Sequence, residues 1–476
     1  MAIKGHEVGK RETVQATPTK RFFVSMLTRD IDLPDAILDL LDNSVDGVLR
    51  STKDKASAKS DQPYAGFWAR IVFNERKFQI SDNCGGIPFK LAKDYAFMMG
   101  RPLDEGDSDI PTVGMYGIGM KRAIFKMGTS SRVVSQTKSD AFEVTISNKW
   151  MGDDKDWNLP LKFVKPPLKH TGVVLNVEDL HKGVSTLFAK EGSSFEHEFI
   201  TTVAQHYGFI INKGFKVFVN DKTVEPQPMT LLWTKKDSAP EGKELAPYLY
   251  TAEMDGVAVR LAVGFYDQML TESELDEEQV AKRTKDDAGW TIICNDRVVV
   301  HNNKTRITGW GEAGVPSYHN QFIGISGIVY FQSNEAWKLP ITTTKRGVDT
   351  SSELYLYVKE FMREGLKKFT SYTNVWKQDP DEERKISSKA ERVPISSILS
   401  MKPDAKWTKV KNRGNEFKRN VSLPQPTTKN PKRQIRFSKS QKEIEVVATH
   451  LFGDATTEPS IVGEACFDQI YKGAGK

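Results

Sequence analysis

The sequence predicts a mixed α/β chain, and three observations carry that expectation. A broad apolar face of helical period runs from Pro34 to Val48. Alternating runs rich in β-branched and aromatic residues recur from Trp68 to Gln332. A glycine-rich turn opens an apolar-periodic helix at Gly119. At 476 residues the chain has room for two to three globular domains with cores of ordinary size.

The first helix begins at Pro34, whose fixed φ and missing N–H suit a helix start. Ile37, Leu38, Leu40, Leu41, Val45 and Val48 cover one side of it, while Asp35, Asp39, Asp42, Asn43 and Asp46 fall on the other. Four carboxylates on one face with no cation among them repel one another, so something positive should lie against them. A hydrated Mg²⁺ suits the stripe, because it prefers oxygen ligands and is held by few protein groups plus substrate phosphates. The plainer reading of this helix alone is a solvated face.

Residues 68 to 81 read as two short strands around a turn at Asn74 to Lys77, and the second delivers Asp82 into a glycine turn with Cys84, Gly85 and Gly86. Asp82 is an acceptor suited to an exocyclic amine, although an ordinary hairpin turn uses the same residues. Gly114, Gly117 and Gly119 then open a helix. Free N–H groups, the helix dipole, Lys121 and Arg122 make that place receptive to phosphate. One glycine motif alone is as consistent with a flexible loop. Three such motifs in this order are not explained so cheaply.

In these motifs and their order the chain resembles the GHKL superfamily of ATPases, named for gyrase, the heat-shock chaperone, histidine kinases and MutL, with MutL and the Microrchidia proteins most similar in motif style. The resemblance implies a Bergerat-type α/β sandwich over residues 1–228 and an α/β transducer-like domain over 229–372. A basic, partly disordered linker over 373–440 and a small helical element over 441–476 complete the expected layout. ATP and Mg²⁺ are the implied cofactors. Asn43 matches the metal ligand that bridges to the phosphates, and Asp46 an orienting residue beside the nucleotide. Asp82 matches the acceptor for the adenine amino group, with Gly86 and Ile87 lining the base pocket. Gly114, Gly117 and Gly119 match the second glycine box, which closes over the phosphates with Lys121 and a lid at about Lys93 to Val113.

Three departures accompany the resemblance. Asp39 occupies the place of a glutamate that polarises the attacking water, and its shorter arm demands a closer approach. Cys84 replaces the first glycine of the usual DxGxG pattern, tolerable where no positive φ is needed. The later Gly-Thr signature appears as His170-Thr171-Gly172-Val173, so either Thr171 takes the adenine-side role by a small shift or that hydrogen bond is lost.

Beyond a helix at Glu196 to Gly208, the segment GFKVFVNDKTVEP turns at Asn220-Asp221, and the following strand-like runs resemble the transducer domain. In the family that domain sends a basic residue to the γ-phosphate. The loop LPITTTKRGVD, ahead of a helix at Ser352 to Phe369, makes Lys345 the first candidate and Arg346 the second, against the plainer reading of a solvated loop lysine. Between Met401 and Ser440 twelve basic residues face two acidic ones, a net of +10 in a chain of +6, so the remainder carries −4. With Trp407, Phe417 and Phe437 interleaved, this stretch reads as an extended nucleic-acid strap, or else as a solubilising linker or dock for an acidic partner. Two short helices at Ile444 to Leu451 and Ile461 to Ile470 read as a docking element for a protein partner or for oligomerisation.

No HExxH, GxSxG or P-loop motif occurs, which removes common hydrolase alternatives. Three scattered cysteines, Cys84, Cys294 and Cys466, suit a reducing compartment and exclude a zinc cluster made of cysteine alone. No run approaches the roughly 20 apolar residues of a membrane span. A cytoplasmic protein is expected, or a nucleoid or nuclear one if bound to DNA. The expected function is an ATP-gated dimeric clamp, a homodimer on ATP binding, acting on DNA or a DNA-associated partner. The alternative is a nucleotide-sensing scaffold with little hydrolysis. A histidine kinase is disfavoured because only His6 precedes the first motif.

Overall fold

The computed structural model describes residues 18–53, 60–98, 117–189, 194–234, 244–269, 287–342, 344–410, 415–426, 435 and 437–474. It comprises two compact units, Met1–Pro426 and Thr427–Lys476.

The first unit opens with α1 (Lys20–Arg29) and α2 (Leu33–Thr52). Pro34 lies in the first turn of α2 beside Asp35, whose charge suits the positive end of the helix. An eight-stranded sheet follows, built from β1 (Trp68–Phe73), β2 (Phe78–Asp82), β3 (Gly128–Gln136), β4 (Ala141–Ile146), β5 (Leu161–Phe163), β6 (Gly172–Leu180), β7 (Lys216–Val219) and β8 (Lys222–Thr223). The strand order is β5-β4-β3-β6-β2-β1-β7-β8, antiparallel except for the parallel pair β1–β7. The β1–β2 hairpin turns where expected, with Asn74 Oδ1 accepting from the N–H groups of Arg76 (2.9 Å) and Lys77 (3.1 Å). Helices α2, α3 (Gly119–Met127) and α4 (Ser194–Asn212) cover one face of the sheet. Their apolar sides, including Leu41, Val45, Ile124 and Val203, form one core with Ile71, Ile80, Leu175 and Val217.

The second layer is a seven-stranded sheet in the order β13-β12-β14-β11-β10-β17-β16. Its strands are β10 (Tyr248–Met254), β11 (Val257–Phe265), β12 (Gly289–Cys294), β13 (Arg297–Asn303), β14 (Ile325–Gln332), β16 (Thr408–Lys409) and β17 (Phe417–Arg419), while β9 (Thr230–Thr234) pairs with β15 (Ala390–Pro394) beside it. The long helix α5 (Glu353–Trp376) packs on one face, so closely that a Cβ on Gly365 would lie 2.3 Å from Val263 Cγ1. The other face meets Phe209 of α4, Leu231 of β9 and the short helix at Ile395–Leu399. Both sheets are mixed with helices throughout, as the α/β expectation requires.

One expectation changes. Residues 376–426, read from composition as extended linker, continue the compact unit: α6 (Pro380–Ser387) and β15 follow α5, and β17 adds to the edge of β10. Strand addition draws on backbone N–H and C=O groups, which every residue carries, so a basic and proline-rich composition does not forbid it. Glu416 is buried and accepts from the hydroxyls of Tyr250 (3.2 Å) and Tyr357 (2.8 Å), while Lys418 pairs with Glu364 at 2.9 Å. Trp407 packs against the second sheet's core, so it is not a free stacking platform. Lys411, Arg413, Lys429, Lys432, Arg433 and Arg436 lie outside the described residues.

In the second unit, a capping box between Ser440 and Glu443 opens the helix Gln441–Phe452, which ends at Gly453 in the left-handed region (φ +73°). The helix Pro459–Ala474 follows, and Ala448 and Val462 are buried between the pair. No helix among the described residues is long and apolar enough to cross a membrane.

Candidate nucleotide-binding site

A cleft opens between α2, the turn after β2, the start of α3 and the adjoining strand β6. It encloses about 1230 Å³, open solvent at its mouth included. Three sequence motifs, spread from Asp39 to Arg122, converge there, and Lys345 from the second layer joins them.

At the inner end sits Asp82, which β2 carries into the turn. Its Oδ1 accepts from the N–H of Cys84 (2.9 Å) and of Val173 (3.2 Å), and its Oδ2 from the Ser44 hydroxyl (2.9 Å). Burial raises its pKa above the usual aspartate value, against the pull of those donors. Gly86 is required as glycine: its φ is +78°, and a Cβ there would lie 2.3 Å from the Gln136 carbonyl oxygen. Ile87 is fixed by Ser135, whose Oγ accepts from the Ile87 N–H at 2.7 Å. Gly172 passes so close that a Cβ would lie 1.9 Å from the Asp82 carbonyl oxygen. Thr171 does not line this cleft, and its carbonyl instead accepts from Gly85 N–H at 3.4 Å. The residue on the wall is Val173, so the open choice at this signature falls to an apolar contact.

Gly117, with φ +66°, and Gly119 stand at the opposite rim. Lys121 lines the cleft but is buried, donating to the carbonyls of Ala96 (2.9 Å) and Gly117, and desolvation lowers its pKa to about 8. Gly114 lies outside the described residues, as do positions 99–113 of the expected lid.

The acidic stripe of α2 divides in two. Asn43 is exposed and Asp46 buried, and both line the cleft. Asp35, Asp39 and Asp42 are answered by the protein's own cations, where the sequence alone suggested a hydrated ion. Arg346 Nε lies 2.6 Å from Asp35 Oδ1. Arg122 Nε lies 3.2 Å from Asp39 Oδ2, and its Nη2 bonds the same oxygen. Lys345 Nζ lies 2.7 Å from Asp42 Oδ2 and 3.3 Å from Asp39 Oδ1. It is buried, not solvated, and holds a φ of +56°, a conformation that costs a lysine about 1–2 kcal/mol. Burial works against the Asp42 charge, but Lys345 and Arg297 overcome it and hold its pKa below the aspartate norm.

Sequence reasoning missed Arg297, Tyr207 and His206. Arg297 Nε is 3.1 Å from Asp42 Oδ1, its guanidinium carbon lies 4.3 Å from the Tyr207 ring centroid, and the Tyr207 hydroxyl bonds Asp42. The available signal was the Asn295-Asp296 turn between two strand-like runs. It places a hairpin tip but not what the tip reaches. His206 accepts from Arg346 at Nε2 and donates from Nδ1 to the Val298 carbonyl (2.6 Å), an arrangement that requires the neutral ring. Burial and the neighbouring arginines lower its pKa to about 2.

Residues 31–179 match the family model described as histidine kinase-, DNA gyrase B-, and HSP90-like ATPase. The chain carries a GHKL-type ATPase domain. No curated protein matches the chain. Domains of this type bind ATP, usually with Mg²⁺. Asn43 presents an exposed amide to the cleft, an oxygen donor of the kind that such an ion takes.

Proposed function

We propose that the chain is an ATP hydrolase that works as a nucleotide-gated switch. The observation that carries this is the meeting of α2, the Asp82 turn, the Gly117–Gly119 turn and Lys345 around one cleft. Asp82 accepts from the adenine amino group, with Gly86 and Ile87 beside the base. Asn43 holds Mg²⁺ against the phosphates, Asp46 orients the groups around it, and Gly117, Gly119 and Lys121 stand at the phosphate end. Thr171 stays out of the contact set. Asp39 serves as general base. Lys345 moves from Asp42 to the γ-phosphate, whose negative charge competes directly for it.

Because Lys345 belongs to the second layer, its transfer links nucleotide state to the placement of that layer, taken as a transducer-like domain over 229–372. Such a switch needs ATP to favour one arrangement differentially. ATP-dependent homodimerisation through residues 1–228 makes the switch a clamp. DNA contacts through Lys402, Lys406, Lys409 and Lys439, all exposed, give it a partner, and the helical pair over 441–476 is the docking element for a protein partner. A scaffold that binds ATP with little turnover is the second reading, favoured because both Asp39 oxygens are engaged by cations.

The test is ATP hydrolysis with and without DNA, beside size measurement with a non-hydrolysable analogue. Turnover together with analogue-dependent dimerisation supports the clamp. Unchanged size overturns it, and binding without turnover selects the scaffold.

A further inference from the structure

If Asp39 is the base, its side chain must do from one methylene less what a glutamate would do at that position. Two features of the site close the gap. Gly119, the first residue of α3, lies so near α2 that a Cβ on it would be 3.1 Å from Asp39 Cβ and 3.2 Å from Asp39 Cγ. A side chain there would require the Asp39 side chain to give by a few tenths of an ångström. One turn further on, Arg122 reaches back and grips Asp39 Oδ2 with both Nε, at 3.2 Å, and Nη2. Both partners are buried, Arg122 at 8% exposure and Asp39 at 3%, and both line the cleft.

A guanidinium fork on one carboxylate oxygen pins the position of that oxygen, and unlike an ammonium it does so through a rigid geometry. It also leaves the other oxygen free of the grip. That oxygen, Asp39 Oδ1, faces Lys345 at 3.3 Å, the same cation that bonds Asp42 at 2.7 Å. When Lys345 turns to phosphate, Oδ1 is the oxygen left to accept a proton.

We propose that Arg122 is the positioning residue for Asp39, holding Oδ2 so that Oδ1 is presented to the attacking water. The inference rests on the ATP hydrolase reading given above. In the step itself, the water oxygen bonds to the γ-phosphorus while the bond from that phosphorus to the β–γ bridging oxygen breaks. Asp39 Oδ1 takes the water proton and returns it to solvent, and the products are ADP and inorganic phosphate. Arg122 stays charged throughout and transfers nothing.

The experiment uses the full chain and four variants: Arg122→Met, Arg122→Lys, Asp39→Glu, and Arg122→Met combined with Asp39→Glu. Steady-state kcat and KM for ATP are measured together with calorimetric affinity for a non-hydrolysable ATP analogue and the thermal midpoint. Positioning predicts that Arg122→Met lowers kcat roughly a hundredfold, the scale of an ångström of misplacement, with analogue affinity and KM changed by less than about threefold. Arg122→Lys recovers part of the loss. Asp39→Glu lowers kcat in the parent, where the grip is sized for aspartate, yet raises it in the Arg122→Met background, where the longer arm no longer needs the grip.

A kcat unchanged in Arg122→Met overturns the inference. So does a parallel loss of kcat and analogue affinity, the mark of a merely structural ion pair. Should Arg122→Met not fold, Arg122→Lys with the same analogue measurement decides between the two outcomes. A parent protein that binds the analogue but never turns over ATP instead removes the hydrolase reading, and this one with it.

Discussion

The acidic stripe of α2 and the basic segment that closes the first unit are both blocks of one charge sign, and they meet opposite fates. On α2 the carboxylates of Asp39 and Asp42 go under the surface, where Arg122, Arg297 and Lys345 neutralise them at 2.7–3.3 Å. Along residues 401–426 the charges of Lys402, Lys406 and Lys409 stay in water, and Lys418 pairs with Glu364 at partial exposure. A helix carries its charged face wherever its apolar face is packed, and a third element folding over that face buries it. Lys402 and Lys406 lie on an exposed loop, and the edge strands that carry Lys409 and Lys418 bond through their backbone and let long basic side chains reach toward solvent. Charge density alone therefore says little about where a charge ends up.

The buried block should be the brittle one. Asp42→Asn takes from Arg297 its bonded counter-charge, leaves Lys345 with Asp39 at 3.3 Å, and is expected to lower unfolding free energy by about 3–5 kcal/mol in denaturant titration. A loss under about 1 kcal/mol, the surface-pair scale, would mean that burial contributes nothing to the contrast.

Exposed Asn43 on the same helix separates binding from stability. Asn43→Ala should abolish Mg-ATP uptake in calorimetry while shifting stability by no more than about 0.5 kcal/mol. Retained uptake would remove Asn43 from the site.

Acid should attack the buried side through His206. Its folded pKa of about 2 lies below the unfolded value of 6.5, so the unfolded state binds more protons between those limits. Stability is then full above pH 6.5 and falls as pH drops through that window, by at most about 1.4 kcal/mol per unit. His206→Asn should flatten the slope in denaturant titrations run from pH 7 to 4, and an unchanged slope would assign the acid sensitivity elsewhere.

The smallest effect belongs to the basic edge. Lys418→Ala should cost no more than about 1 kcal/mol, since its pair with Glu364 is partly exposed. A loss on the Asp42 scale would erase the difference between the two blocks.

Much of the lining of the candidate cleft was legible in the sequence. Asp82, Gly86, Gly117 and Gly119 sit in short motifs whose local geometry needs those residue types, and Asn43 falls on the polar side of a helix whose period is plain. Thr171 lies just before β6 and spends its carbonyl on the Gly85 N–H, so Val173 takes the cleft wall, an outcome set by where pairing with β3 begins at Gly172. Arg297 was invisible for a different reason. It stands 255 residues from Asp42, and nothing local to either of them marks the contact. Trp407 looked free because composition cannot show which aromatic residue finds a core.

By itself the sequence determined the elements and the chemistry each can offer: an amphipathic α2 with a polar stripe, a strand ending at Asp82, glycines where backbone must pass close. These follow from periodicity and from φ and ψ limits acting over a few residues. Only the tertiary structure decided which carboxylates of that stripe meet protein cations and which side chains stay open to the cleft. That choice is made by long-range packing of the second layer against α2, where burial makes an unpaired charge costly and selects its partner from anywhere in the chain.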